Sequence, residues 1–155
     1  MTNSRDYLGT SKVIGQLIEL NRYNDTDGYL VSMEPGKDIP FEIRRSFYIS
    51  GVVKNGKRAE HASLNSKFVF VALEGNIRIS LSDGINSEEF IITKGNKALY
   101  VDVCTWIVAD QFSSENAVLL VLSNTSYNKC LYENDYHSFI EHREKYNENS
   151  CNRSQ

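Results

Sequence analysis

The sequence predicts an all-β domain, a sandwich or barrel of short strands. Two observations carry that expectation. β-branched and aromatic residues gather in short runs, and these are parted at regular intervals by Gly-, Asn- and Asp-containing turns. Between the runs there is no long amphipathic helix to act as the crossover of a βαβ unit.

Taken in order, residues 13–20 form a first strand, and the cluster around Asn24 to Gly28 is a turn whose glycine can take dihedrals closed to other residues. Residues 29–33 form the next strand and stop at Glu34, Pro35 and Gly36, a strong turn signal. Residues 39–43 lead into 45–49, which alternate as a half-buried strand does. Asn55 and Gly56 then predict a tight turn. The second half repeats this grammar, with strands at 68–73, 76–81, 89–93, 98–101, 105–108 and 117–122. They are separated by Glu74 and Gly75, Asp83 and Gly84, Lys94 and Gly95, a bend at 102–104, and residues 113–116. Only residues 132–145 have room for a helix, with Tyr136, Phe139 and Ile140 on one side and charged residues mostly elsewhere.

The 155 residues fit one domain with a substantial core. The expected division is a flexible stretch at 1–11, one domain at 12–145 and a disordered polar tail at 146–155. Seventeen basic against twenty acidic residues, and no long basic run, argue against nucleic acid as a partner. The apolar stretches fall short of the roughly 20 residues that cross a bilayer, and residues 1–6 lead into no signal-peptide core, so no membrane partner and a cytoplasmic location are expected. Cys104, Cys130 and Cys151 are odd in number and lack close paired spacing, which fits neither a disulfide framework nor a zinc knuckle. Cys104 reads as a buried thiol.

Chemistry concentrates just before the strand at 68–73, where Arg58 and His61 stand close together. An unperturbed histidine has a pKa of ~6.5 and exchanges protons near neutrality, so His61 is the residue best suited to act as base or acid. Arg44 and Arg45 are neighbours on a strand and point to opposite sides, so one reaches a pocket while the other is a surface charge. Each of these residues also has an ordinary structural use. A histidine serves in turns, an arginine is a solvated charge, and Tyr48, Phe70, Tyr100 and Trp106 serve equally as core aromatics.

The order of residues 39–48, then Arg58, His61 and Ala62, then Gly75, the run 81–84, the run 95–100, Trp106 and the run 119–123 resembles the sugar-nucleotide 3,4-ketoisomerases of the cupin superfamily. The similarity covers about residues 12–140 and includes Asp135 and Tyr136. The resemblance implies a double-stranded β-helix, the cupin jelly roll, with a short C-terminal helical segment. It also implies a dTDP-4-keto-6-deoxyhexose as the nucleotide-linked ligand, on routes to 3-amino-3,6-dideoxy sugars of cell-surface glycans, and a homodimer. No cofactor is implied.

Departures from the family pattern fall at the motif itself. The family's strand entrance reads Arg-x-x-His-Ala-His with a Gln a few residues later. Here the second His is Ser63 and the Gln position is Phe68. The His that usually follows the residue matched by Trp106 is Ile107, and an early Arg-Gly pair is Asp27 and Gly28. Metal-bearing cupins need a His-x-His pair, a carboxylate and a distant His, and of these only His61 and Glu74 can be placed, so no metal is expected. His137 and His142 are five residues apart and do not make the i,i+4 pair of a helical zinc site.

The implied reaction moves a ketone from C4 to C3 through an enediolate. On this reading the catalytic residues are His61 as base or acid, Tyr48 donating to the enolate oxygen, and Ser63 holding His61 or relaying a proton. The substrate-binding residues are Arg45 at the diphosphate, Arg58 at an anion or phosphate, and Tyr100, Trp106 and Phe70 as aromatic walls, with Tyr100 a second donor to the enolate. Two other functions fit the same residues. One is a non-catalytic sugar-nucleotide-binding cupin. The other is an epimerase on a different nucleotide sugar, with one histidine and one tyrosine as opposed base and acid.

Overall fold

The computed structural model describes residues 14–153. Its strands are β1 (Gly15–Glu19), β2 (Arg22–Asn24), β3 (Tyr29–Val31), β4 (Arg45–Ile49), β5 (Arg58–Ser63), β6 (Phe68–Glu74), β7 (Asn76–Ser82), β8 (Ser87–Thr93), β9 (Lys97–Val101), β10 (Thr105–Asp110), β11 (Val118–Ser123) and β12 (Tyr132–Glu133). A single 3-10 turn at Tyr127–Lys129 and the helix α1 (Tyr136–Asn152) complete the order.

Two five-stranded antiparallel sheets face each other, one in the order β1-β9-β6-β11-β4 and the other β12-β5-β10-β7-β8. This is the expected jelly roll. Its logic is plain in β7, where Ile77, Ile79 and Leu81 are buried while Arg78 and Ser80 between them are only partly so. The inner faces close on a core that includes Leu99, Ile107, Leu119 and Val121, with Gly15 passing so close that a Cβ there would lie 2.6 Å from Leu81 Cδ1.

Both outer faces are also partly covered. The chain at 39–43 leads into β4 and is not itself a strand. Instead Ile39, Phe41 and Ile43 lie over Val69, Val71, Ala98 and Leu122, so their period serves packing on a sheet face and not pairing within a sheet. On the other sheet α1 lays Phe139 and Ile140 against Trp106, Ala62 and Cys104. Gly84, at a φ of +90°, makes room there, because a Cβ would meet Ile140 Cδ1 at 2.7 Å.

The helix begins later and ends later than 132–145. Asp135 caps it by accepting from the Ser138 N–H at 2.8 Å, which leaves Tyr132 and Glu133 free to pair with β5. It then runs to Asn152, so the segment placed in a polar tail is helical to that point; the expected flexible stretch at 1–11 lies outside the described residues. No helix among the described residues is long and apolar enough to cross a membrane.

Candidate functional site

Between the sheets, where β4, β5, β6, β10 and β11 diverge, lies a cavity of about 600 Å³. Apolar side chains make most of its wall: Phe47 and Ile49 from β4, Phe68 and Phe70 from β6, Ile107 and Ala109 from β10, and Leu119 and Val121 from β11. Against that wall stand a few polar groups, Arg45, Arg58, His61, Tyr127, Tyr132 and Asn134. An apolar cleft with few convergent polar groups is the usual form of a small-molecule site.

A break in β5 aims its side chains. The register against β10 shifts between Ile107 and Val108, so Glu60 is an extra residue, and Ala59 and Glu60 take φ values of +68° and +55°. Left-handed dihedrals at non-glycine residues cost roughly 1–2 kcal/mol each, which the surrounding sheet must hold in place. The bulge lets both Arg58 and His61, three residues apart, line the same cavity. Such bulges re-aim side chains beside functional sites.

His61 sits across from Ile107, and its ring meets the edge of the Tyr132 ring at 4.6 Å between centroids and 66° between planes. Burial holds its pKa below the ordinary 6.5, the Arg45 charge pulls the same way, and its own backbone opposes them. The imidazole is therefore neutral at pH 7, in the form that accepts a proton. Its Nδ1 is buried without a hydrogen-bond partner.

Arg45 enters from β4 and rests over Phe47 at 4.6 Å and near Tyr127 at 5.4 Å. Its Nη2 donates to the Tyr132 hydroxyl at 2.6 Å, while Nε and Nη1 are buried without partners. Among the described residues no carboxylate pairs with it. A fixed cation with unused donors inside an apolar cavity is a seat for an oxyanion.

Four expected site residues fall elsewhere or only at the edge. Tyr48 follows Phe47, so the pleat turns it to the outer face of β4; it is 72% exposed and reaches only the rim. Ser63 is buried at the far end of β5, where its hydroxyl accepts from the Ser66 N–H at 3.2 Å and bonds Cys130 Sγ at 3.1 Å. It does not line the cavity. Tyr100 lies on the outer face of β9 near Phe41, its hydroxyl pushed up to about 12 by burial and then by Asp102. Trp106 lies beneath α1, perpendicular to Tyr136 at 5.1 Å. The pleat that puts Ile107 inward puts Trp106 outward.

His61, Arg45, Arg58 and Phe70 all line the cavity; Arg45 bonds the hydroxyl of Tyr132, whose ring meets the imidazole, and Arg58 is exposed. Phe47, Tyr127, Tyr132 and Asn134 were missed. The only signal for the last three was a tyrosine-bearing stretch between the final long strand and the helix; Tyr132 and Asn134 fell inside the helix expected at 132–145, and Tyr127 in the unassigned stretch before it. Among the described residues no three His, Cys, Asp or Glu side chains group as metal ligands, and Glu74 is held at the surface by Lys94 at 2.6 Å. One imidazole beside a fixed guanidinium does not fit a cation.

Fold and cavity together define a small cupin-type jelly roll with an apolar cavity that contains one neutral histidine and a buried arginine. Residues 14–144 match the family model described as FdtA, WxcM-like, C-terminal, and the chain belongs to that family. It is 32% identical over 132 residues to the TDP-4-oxo-6-deoxy-alpha-D-glucose-3,4-oxoisomerase of Aneurinibacillus thermoaerophilus, covering 85% of this chain and 94% of that one. Among solved structures it is similar to WlaRA, a TDP-fucose-3,4-ketoisomerase from Campylobacter jejuni, at 35% identity and a TM-score of 0.77, covering 82% of this chain and 93% of that one. It is also similar to QdtA, a sugar 3,4-ketoisomerase from Thermoanaerobacterium thermosaccharolyticum in complex with TDP, at 28% identity and a TM-score of 0.81, over 86% and 97% of the two chains.

Proposed function

We propose that this protein is a TDP-sugar 3,4-ketoisomerase, which moves the ketone of a dTDP-4-keto-6-deoxyhexose from C4 to C3 through an enediolate. The observation that carries the reading is the pairing of neutral His61 with Arg45 in one cavity, in a chain whose relatives are named for this reaction. A hydrogen beside a carbonyl is acidic only when charge on the oxygen is stabilised. His61 takes the proton, and Arg45, with Nε and Nη1 unused, holds the oxygen where the charge develops.

Arg45 thereby moves from the diphosphate to the sugar end. The diphosphate goes to the mouth, where Arg58 joins the cavity to a shallower depression that also contains Lys57. A cytoplasmic homodimer fits the reading. Among the described residues β4 pairs with β11 alone, which leaves its other edge open.

The test is incubation with dTDP-4-keto-6-deoxyglucose carrying carbon-13 at C4. Loss of the C4 carbonyl resonance and growth of an alcohol carbon at C4 is the expected result. Saturable binding of TDP with the C4 carbonyl unchanged would overturn turnover and leave a sugar-nucleotide-binding cupin.

A further inference from the structure

The isomerisation is a four-site proton problem, and this cavity has few groups to solve it. C3 and the C3 hydroxyl each lose a proton, while C4 and the C4 oxygen each gain one. Among the described residues lining the cavity there is one imidazole and no carboxylate, so a second carbon base is absent from the wall. What stands beside His61 is a phenol. The Tyr132 ring packs edge-on to the imidazole at 4.6 Å, and its oxygen accepts from Arg45 Nη2 at 2.6 Å. Burial, with Cys130 beside the hydroxyl, pushes Tyr132 above the ordinary phenol value and keeps it protonated as a donor, while the Arg45 guanidinium pulls the other way and is placed to stabilise the phenolate that giving the proton leaves behind.

We propose that His61 and Tyr132 form a two-residue proton circuit, His61 serving both ring carbons from one face of the sugar and the Tyr132 hydroxyl serving both oxygens. The inference rests on the isomerase reading of the same cavity. In the first half His61 removes the C3 proton, the C3–C4 double bond forms, and Tyr132 protonates the C4 oxygen, giving a neutral enediol, an imidazolium and a phenolate. In the second half the phenolate takes the proton of the C3 hydroxyl, the C3 ketone forms, and the imidazolium returns its proton to C4. Both side chains end as they began, and no oxidant, reductant or further acid is needed. The vacancy at Ser63, which is tied to Cys130 and Ser66 outside the cavity, is then without consequence for turnover.

The circuit fixes the stereochemistry. In a sugar of gluco configuration the C3 hydrogen lies on the lower face of the ring. A base confined to that face removes it and delivers to C4 from below, which leaves the C4 hydroxyl on the upper face. The product is the 3-keto sugar with the galacto configuration at C4. Two bases on opposite faces would give the gluco product instead.

The experiment takes the wild-type protein, Tyr132→Phe and His61→Asn with dTDP-4-keto-6-deoxyglucose in deuterated water. Proton NMR follows C3-hydrogen exchange, formation of product and its C4 configuration. The expected wild-type product is galacto. Tyr132→Phe should lose conversion by ~10²–10⁴-fold, the range of a positioned acid-base group, while exchange at C3 falls less because Arg45 still holds the enolate. TDP affinity should hold, and the midpoint should fall by no more than the roughly 3–12 °C that loss of the Arg45 bond accounts for, with the protein fully folded at the assay temperature, which separates loss of a proton path from loss of fold. A gluco product, or Tyr132→Phe converting within about threefold of wild type, would overturn the circuit and leave the isomerase reading standing. A wild type that neither exchanges nor converts would overturn the isomerase reading and the circuit with it.

Discussion

Replacing Arg45 by methionine separates what this side chain does for the fold from what it does for the ligand. In the free protein Nε and Nη1 are buried without partners. Each unsatisfied buried donor costs about 1–3 kcal/mol, so the substitution removes about 2–6 kcal/mol of penalty. It also removes the charge-assisted bond to Tyr132 and the contact over Phe47. Those contribute about 1.5–3 and about 0.5–2 kcal/mol respectively. The two sides nearly cancel. In a domain of this size 1 kcal/mol moves the thermal midpoint by roughly 2–4 °C, so Arg45→Met should melt within about 4 °C of wild type. The assay is differential scanning fluorimetry beside calorimetric titration with TDP and steady-state turnover. The expected result is an unchanged midpoint, TDP bound as before, and kcat down by ~10²–10³-fold, the effect of losing one oxyanion donor. A midpoint lowered by more than ~8 °C would mean Arg45 is structural. TDP affinity lost along with turnover would put it at the diphosphate and refute its place beside the reacting carbons.

Three further outcomes follow from the same geometry. Ser63→Ala removes the acceptor of the buried Ser66 N–H and should destabilise by about 1–3 kcal/mol in chemical denaturation with kcat little changed; a hundredfold loss of kcat would return Ser63 to the proton path. The acid limb of kcat/KM should lie below pH ~6.5, because burial lowers the folded-state pKa of His61 and activity needs the neutral ring. The sign for stability is the same: the unfolded chain takes up this proton first, so stability is full above ~6.5 and declines as pH falls from there to the lower folded-state value, and His61→Asn should flatten that decline. Phe139→Ala empties a fully buried site against Trp106 and Tyr136, and urea unfolding should show a loss of about 3–5 kcal/mol.

The strands most legible in the sequence were those with one buried and one wetter face, such as 76–81, whose isoleucines and leucine mark the inner side. β5 was illegible as a strand, because Arg-Ala-Glu-His-Ala-Ser has neither β-branched residues nor clean alternation, and its bulge breaks the period. Alternation in β4 was read correctly as a period but not as a phase. Whether Phe47 or Tyr48 faces inward depends on the partner strand β11 and the sheet opposite, which no local pattern records. The same ambiguity misplaced Tyr100 and Trp106. Tyr132 was lost to a helix that its sequence supports equally well, and only the Asp135 cap decides that the helix starts four residues later.

The claim on which the account turns is that His61 takes the proton beside the ketone. The direct measurement is the initial rate of C3-hydrogen washout from dTDP-4-keto-6-deoxyglucose in deuterated water, read by proton NMR for wild type and for His61→Asn at matched folded fraction and matched TDP saturation. The account predicts rapid washout with wild type and none above the uncatalysed rate with His61→Asn. Equal washout from both would contradict it.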